Sequence, residues 1–430
     1  MMLYNTMTTN STSIKYKGSS YNLKKGFKEG THRICPPAET FSKIEPHFKN
    51  IGLTRLANIT GLDNIGIPVV LSVRPNGTYL SVDAGKGFSL DAANVSAAME
   101  CIERYHAENV SPDEIGMTYK ELDNSYNTVP IQDLPLTKNS IFNIDNPQRW
   151  SIAWDIMNDS EVAVPTSMLT LKRSLSLPTE VMPFQIGSNG LASGNKLLEA
   201  FCSGLYEVVE RDAVTCNLVA EEQINYDIPK VRLETIESAL VLKLLEQFKK
   251  AGIKPVLYDC TIDTDVPTYM SLIYDIESRA IGIYRGYGAH LDPEIAMIRA
   301  LTEAAQGRLI YISGSRDDFF RCNYRRLKRG DDERTIDYIE RSPETVDAGD
   351  RKNESSDTFE EDIIRVFEKL KKVNINQIIA LDLTLPEFDI AVVRIIGPGL
   401  EGYKFDYYSP GQRALAFLEK IKSENGELYK

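Results

Sequence analysis

Residues 85–109 read GKGFSLDAANVSAAMECIERYHAEN. The stretch opens on a glycine turn and offers Ser89 or Asp91 as a cap. It then runs without Gly or Pro to Asn109, which predicts one long helix. At about 100° per residue, Ser96, Glu100 and Glu103 (i, i+4, i+7) fall within about 60° of one another. Val95, Met99 and Ile102 lie on another side, the natural core side. Upstream, IPVVLSVRPNGTYLSVDAG (67–85) reads as two β-runs joined at Asn76-Gly77, a hairpin signal.

The same grammar recurs. A second long helix is predicted over about 196–218 and a third over about 293–312. On the second, Asn195, Glu199, Glu207 and Glu210 occupy roughly a third of the circumference, opposite Leu198, Phe201, Leu205, Val208 and Val209. On the third, Arg299, Glu303 and Gln306 repeat the i, i+4, i+7 spacing, opposite Ile298, Leu301, Ala305 and Leu309. Glu-x-x-Glu-Arg is thus written twice, at 100–104 and 207–211.

For any one helix, a solvated polar face is a sufficient reading, since exposed Glu–Arg pairs are common and worth little. Three features point elsewhere. Small residues flank the stripes (Ala97, Ala98, Ala200, Ala213, Ala300, Ala304, Ala305), as in close packing. The carboxylates lack interspersed lysines. The stripes mix Ser, Asn, Gln and Arg, a donor–acceptor inventory suited to a ligand. If the faces converge, their carboxylates repel unless cations sit among them. Mg²⁺ suits hard oxygen ligands and brings phosphates with it, and Arg104, Arg211 and Arg299 would then be available for phosphate oxygens.

Composition bounds the rest. The 430 residues carry 49 Lys+Arg against 61 Asp+Glu, a net charge of −12 that disfavours sequence-independent nucleic-acid binding. Six cysteines are scattered without a C-x-x-C pair, which argues against zinc or a disulfide framework and for a reducing cytoplasm. Four histidines cannot build a His-rich metal site. No apolar run reaches the roughly 18–20 residues of a membrane span, and the N-terminus shows no secretory pattern. Walker A and the kinase pattern are absent; Gly85-Lys86-Gly87 opening a helix leaves a phosphate there open.

Residues 1–29 are expected to form a flexible arm, and residues 30–430 one domain in which 343–357, PETVDAGDRKNESSD, is an exposed acidic loop. Further elements are a helix over 235–251 and strands in KPVLYDCTI, TYMSLIYDI, INQIIALDL and IAVVRIIGP. Strands and helices alternate without a clear linker. The expected fold is α/β (mixed), a single domain with long helices on mixed sheets around a nucleotide cleft.

The combination S-x-x-x-E-x-x-E-R after GKG, N-x-x-x-E with E-x-x-E-R-D downstream, then R-x-x-x-E-x-x-Q, resembles the YcaO family from about Gly30 to Tyr403. The resemblance implies ATP and Mg²⁺ as cofactors. It assigns Glu100, Glu103, Glu207 and Glu210 to Mg²⁺, and Ser96, Asn195, Glu199 and Arg211 to nucleotide or phosphate. Arg299, Glu303 and Gln306 match the third motif, with Arg299 toward the γ-phosphate. GTHRICPPAET (30–40) adds Arg33 and Thr40, and Lys86 belongs to the GKG turn. The family activates a peptide-bond amide by O-phosphorylation. An attacking Cys, Ser or Thr of the substrate gives an azoline, and external sulfide gives a thioamide.

The expected P-x-P-x-P tail of the azoline branch is missing, with no proline after Pro410. VVRIIGPGLEGYKFDYY resembles the branch that works with TfuA-like partners, and in methanogens the enzyme making thioglycine in the methyl-coenzyme M reductase alpha subunit. The implied partners are a peptide or protein substrate, a TfuA-like protein, a sulfide donor and a second copy in a homodimer. The alternatives are an azoline-forming cyclodehydratase and a non-catalytic nucleotide-binding accessory protein.

Overall fold

In a computed structural model the chain is described over residues 13–138, 140–172, 183–277, 282–319, 324, 331–404 and 408–425. A hairpin of β1 (Ile14–Tyr16) and β2 (Ser19–Tyr21) leads to α1 (Pro37–Ile44). An antiparallel sheet of β3 (Arg55–Asn58), β4 (Val69–Val73) and β5 (Val82–Lys86) follows, and then α2 (Leu90–Asn109). Next come β6 (Ile115–Met117), β7 (Gln148–Asp155), β8 (Ser160–Pro165) and β9 (Leu191–Gly194), and then α3 (Leu197–Ile224). After β10 (Val231–Arg232) and α4 (Ala239–Lys250), a third antiparallel sheet forms from β11 (Ile253–Asp259), β12 (Thr268–Asp275) and β13 (Ile283–Ala289), followed by α5 (Pro293–Ser313). The chain ends through β14 (Val346–Asp347), α6 (Phe359–Lys372), β15 (Ile379–Asp382), β16 (Ala391–Ile396) and α7 (Gln412–Asn425).

The largest sheet runs β6-β7-β15-β16-β9, with β8 on β7. It is covered on both faces. Val393 and Ile395 of β16 join Phe201, Leu205 and Val209 of α3 in one core, and Val392 and Ile396 join Cys101 and Ile102 of α2 in another. Burial of each such side chain is worth about 1.5–3 kcal/mol. The fold is the expected mixed α/β, although parallel pairing between named strands is confined to β10 on β14.

Each striped helix follows a strand that ends two or three residues before it: β5 before α2, β9 before α3 and β13 before α5. Ser89 caps α2, its hydroxyl accepting from the Ala92 N–H, and Asp292 caps α5 ahead of Pro293. Strand glycines let the helices press close. A Cβ on Gly85 would meet Ala97 N at 2.0 Å, and one on Gly286 would meet Ala300 O at 2.2 Å. The alanines flanking the stripes are the helical half of this contact. Gly85-Lys86-Gly87 accordingly closes β5 and does not open the helix, a correction to the turn reading.

The expected flexible arm over 1–29 is also corrected from residue 13 onward; 1–12 lie outside the described residues. Ile14 and Tyr16 are buried against α3 and α6, and Lys25 is buried in an ion pair with Asp362. Segment 343–357 is mostly exposed but tied down. Arg351 pairs with Asp259 at 2.7 Å, and Glu354 with Lys369 at 2.5 Å.

Candidate active site

The stripes of α2, α3 and α5 converge on a cleft of about 840 Å³. Lys86, Ser96, Glu100, Glu103, Glu207, Arg211, Arg299, Glu303 and Gln306 line it. Glu210 lies beneath. Its Oε2 accepts from the Ala289 N–H at 3.0 Å and is 3.7 Å from Arg299 Nη2, while Oε1 is 3.4 Å from Arg211 Nη1 without a hydrogen bond. Glu103 Oε1 accepts from the Ser193 N–H at 2.8 Å and its hydroxyl at 2.7 Å. Lys86 Nζ donates to Gln306 Oε1 at 3.1 Å and lies 3.5 Å from Glu303 Oε2, so the β5 lysine holds the α5 stripe.

The remaining expected residues sit beside the cleft, not on its wall. Asn195 donates to Thr40 Oγ1 at 3.0 Å and to Glu199 Oε2 at 3.4 Å, and Arg33 Nε is 3.7 Å from Glu199. Ser193, two residues before Asn195, joins this polar cluster to Glu103. Arg104 is not free for phosphate. It is buried in ion pairs with Asp83 and Glu100 and ties α2 to β5. Arg211 lies between the rings of Tyr287 and Tyr403, 5.6 and 5.1 Å from their centroids.

The carboxylates repel one another. Burial and the Glu100 charge push the Glu103 carboxyl well above its usual range, against its Ser193 bonds. Burial, Glu210 and Glu100 push Glu207 up to about 7, although Arg211 opposes them. Burial works against the charge of Arg211, but Glu210 and Glu303 outweigh it and hold the group protonated. A cation beside Glu103 and Glu207 would relieve this stress.

These residues fit Mg²⁺ with phosphates better than a closed protein cage. Among the described residues, the glutamate oxygens are not gathered at metal-ligand spacing; the one triad that is, His32–His290–Asp362, lies elsewhere. Mg²⁺ is commonly held by one or two carboxylates, with waters and phosphates completing its octahedron.

Sequence reasoning missed two residues that also line the cleft, Asn189 and Arg394. A signal existed: Arg394 is the one charge in the apolar run IAVVRIIGP.

The YcaO family profile, described as YcaO cyclodehydratase, ATP- and Mg²⁺-binding, matches residues 84–401. The chain belongs to the YcaO family, whose members are ATP-dependent peptide-modifying enzymes. An uncharacterized protein in the tfuA 3′ region of Rhizobium leguminosarum bv. trifolii is 31% identical over 418 residues, covering 93% of this chain and 96% of that one. An uncharacterized protein of Methanothermobacter thermautotrophicus is 34% identical over 389 residues, covering 88% and 97%. The fold is shared with YcaO from Methanopyrus kandleri bound with AMPPCP and Mg²⁺ (TM-score 0.69, 22% identity, 90% and 99% covered). It is also shared with a heterocyclase in complex with substrate and cofactor (TM-score 0.78, 20% identity), of which this chain covers 57%. The expected ATP and Mg²⁺ agree with the family description. No described helix is long and apolar enough to cross a membrane.

Proposed function

We propose that this chain uses ATP to phosphorylate the oxygen of a peptide backbone amide and replaces that oxygen with sulfur from sulfide. The observation that carries the ATP half is the convergence of Glu100, Glu103 and Glu207 on a cleft that also holds Arg211 and Arg299. Similarity along almost the whole chain to the uncharacterized proteins in the tfuA 3′ region of Rhizobium leguminosarum bv. trifolii and of Methanothermobacter thermautotrophicus supports the thioamide half. The proposed product is thioglycine, with the methyl-coenzyme M reductase alpha subunit as substrate. A TfuA-like partner, a sulfide donor and a homodimer belong to the same reading.

An amide oxygen is a poor leaving group, and phosphorylation makes it a good one. Sulfide adds to the carbonyl carbon, forming the C–S bond as the carbonyl π pair moves to oxygen. That oxygen attacks the γ-phosphorus and the bond to ADP breaks. The C–O bond then breaks, phosphate leaves, and loss of the S–H proton gives C=S. Mg²⁺ supplies charge neutralisation on the phosphates. The chain's own parts are positional. Glu100, Glu103 and Glu207 would hold the metal from the cleft wall, with Glu210 beneath them positioning Arg211 and Arg299. Those arginines would face phosphate oxygens, Ser96 and Lys86 would contact the nucleotide, and Glu303 and Gln306 fix Lys86. No cysteine or histidine lines the cleft among the described residues, which suits a reaction whose nucleophile arrives from outside.

The family description favours one rival, azoline formation on a Cys, Ser or Thr of the peptide. The test is ADP release and peptide mass with a methyl-coenzyme M reductase peptide carrying the unmodified glycine, with and without sulfide. Turnover that needs sulfide, with the mass gain of an oxygen-to-sulfur exchange, supports the proposal. Sulfide-independent loss of one water shifts it to azoline formation. Nucleotide binding without turnover on any peptide leaves the accessory reading.

A further inference from the structure

Arg394 occupies β16, the strand between β15 and β9, where Val392 and Ile396 share its face. It is 2% exposed and lines the cleft. Its Nε donates to Leu169 O at 3.2 Å and its Nη1 to Asn189 O at 2.8 Å. Nη2 has no partner. Arg104, Arg211, Arg299 and Arg316, which line the same cleft, each pair with a carboxylate, at 2.8, 3.4, 3.7 and 2.5 Å, and the remaining arginine of the lining, Arg285, is exposed to water. No carboxylate lies within ion-pair distance of Arg394 among the described residues; Glu207 and Glu103 act on its buried charge only from farther off, and its direct partners are two neutral carbonyls. A charge so placed is costly unless something brings a negative oxygen to it.

A second unpartnered atom lies in the residue that Arg394 already grips. Asn189 Oδ1 is buried without a donor, and Asn189 also lines the cleft. This wall therefore offers one spare guanidinium nitrogen, with two N–H groups, and one spare acceptor. A peptide group carries the complement, a carbonyl oxygen that accepts and an N–H that donates.

We infer that Arg394 and Asn189 seat the substrate's peptide group, Arg394 taking the carbonyl oxygen and Asn189 the N–H. The inference rests on the amide-activation reading above. As a nucleophile adds, negative charge grows on that oxygen. A fixed guanidinium there binds the adduct more strongly than the neutral amide, which is the condition for lowering the barrier. Met168 and Leu191 line the same cleft and limit the water that could compete. In a purely structural role, in which Arg394 only pins the carbonyls of Leu169 and Asn189, a charge placed at residue 189 would act as a general field and weaken the anionic probe no more than AMPPCP.

The test uses a glycyl-glycine phosphinic pseudopeptide, a tetrahedral anion resembling the adduct, titrated by calorimetry into the full chain with and without Mg²⁺·AMPPCP. Asn189→Asp keeps the guanidinium and both carbonyl bonds but gives Arg394 a counterion. It is expected to weaken the probe at least tenfold (about 1.4 kcal/mol) while AMPPCP affinity stays within about twofold. Arg394→Met should weaken the probe at least as much if it folds. Equal probe affinity in wild type and Asn189→Asp, or no probe binding by wild type, overturns the inference. So does a parallel loss of AMPPCP, which would give the seat to the nucleotide's phosphates. Failure of wild type to bind Mg²⁺·AMPPCP would strike the proposed function instead, and the nucleotide-free titration would still judge the seat.

Discussion

Two of the places where the molecule buries charge are finished differently. Around Lys25 the chain closes the cluster with its own ammonium, whose Nζ donates to Asp362 Oδ2 at 2.5 Å, to Ser356 O at 2.9 Å and to His32 Nδ1 at 3.1 Å. Asp362 also accepts from Tyr206 OH and from the N–H and hydroxyl of Ser356. His290 Nδ1 accepts from the Asp292 N–H, so that ring too is engaged. His32, His290 and Asp362 have metal-ligand spacing, yet a lysine already supplies the cation. In the cleft, Lys86 and the arginines pair with Glu303, Glu100 and Glu210, but among the described residues no cation comes within ion-pair distance of Glu103 or Glu207. Glu210 Oε1, Arg299 Nε and Arg394 Nη2 have no hydrogen-bond partner, and Glu103 and Glu207 are strained toward their protonated forms. Proximity of charged groups therefore identifies a site less well than unmet demand does.

The largest effects should separate the two places cleanly. Glu103→Gln and Glu210→Gln are expected to lower Mg²⁺-dependent ATP turnover by on the order of a hundredfold or more, with the melting temperature unchanged or raised. Wild-type turnover in both variants would reduce the stripes to polar decoration. Lys25→Met should do the reverse. It strands the buried Asp362 carboxylate, so denaturant unfolding should show a loss of about 3–5 kcal/mol, with Mg²⁺·AMPPCP binding kept in the folded fraction. A stable Lys25→Met protein that binds a divalent ion at His32–His290–Asp362 would show the two clusters to be less different than drawn here.

How much of this contrast could be read from the chain depends on range. The stripes are local, set by helical period over 96–103, 199–210 and 299–306, and each survives into the structure on one helix. The third long helix and strands β11 and β12 were equally visible, because their apolar runs are nearly continuous, whereas β13, IYRGYGA, breaks its run with Arg285 and two glycines and was not visible as a strand. What could not be read was which strand each helix would press against, and so which residues would share a wall. Lys25 and Asp362 are 337 positions apart, and nothing in either neighbourhood announces the other. Arg33, Thr40, Asn195 and Glu199, all expected at the nucleotide, meet one another beside the cleft and do not line it, because helical spacing gives a direction around an axis and no distance to a neighbouring helix. The arm failed for a related reason: polar composition over 1–29 hid Ile14 and Tyr16, two apolar residues on one face of a three-residue strand.

The response to pH should distinguish the clusters more gently. Glu207 is held near 7, and a metal ligand must be deprotonated, so Mg²⁺·AMPPCP affinity should rise with pH and level off above about 7. Below that point the loss should approach tenfold per pH unit for one proton displaced. At the other cluster, burial and Lys25 push His32 down to about 4, and burial, His32 and Lys25 push His290 well below its ordinary value. A histidine with a depressed folded value stays neutral while the unfolded chain takes up a proton below about 6.5. Stability is thus fully present above that pH and falls from there toward 4. Calorimetric affinity and chemical denaturation across pH 4–8 would check both signs, and an affinity that falls with rising pH would remove Glu207 from the metal's ligands.

The smallest effect tests where the site ends. Asn195 is 3% exposed and bonds to Thr40 and Glu199, and the only link drawn between this cluster and the cleft is Ser193 on Glu103. Asn195→Ala should therefore weaken Mg²⁺·AMPPCP several-fold, on the scale of a group that orients a ligand without touching it, and less than Glu103→Gln does. Arg33→Ala, which removes a 3.7 Å ion pair with Glu199 and a 2.9 Å hydrogen bond to Ser203 Oγ from a partly exposed side chain, should do less still. If either loss equals that of Glu103→Gln, the polar cluster and the cleft form one continuous nucleotide site. The wall now drawn at Ser193 would then have to open when nucleotide binds, swinging Glu103 off the Ser193 hydroxyl and toward the metal.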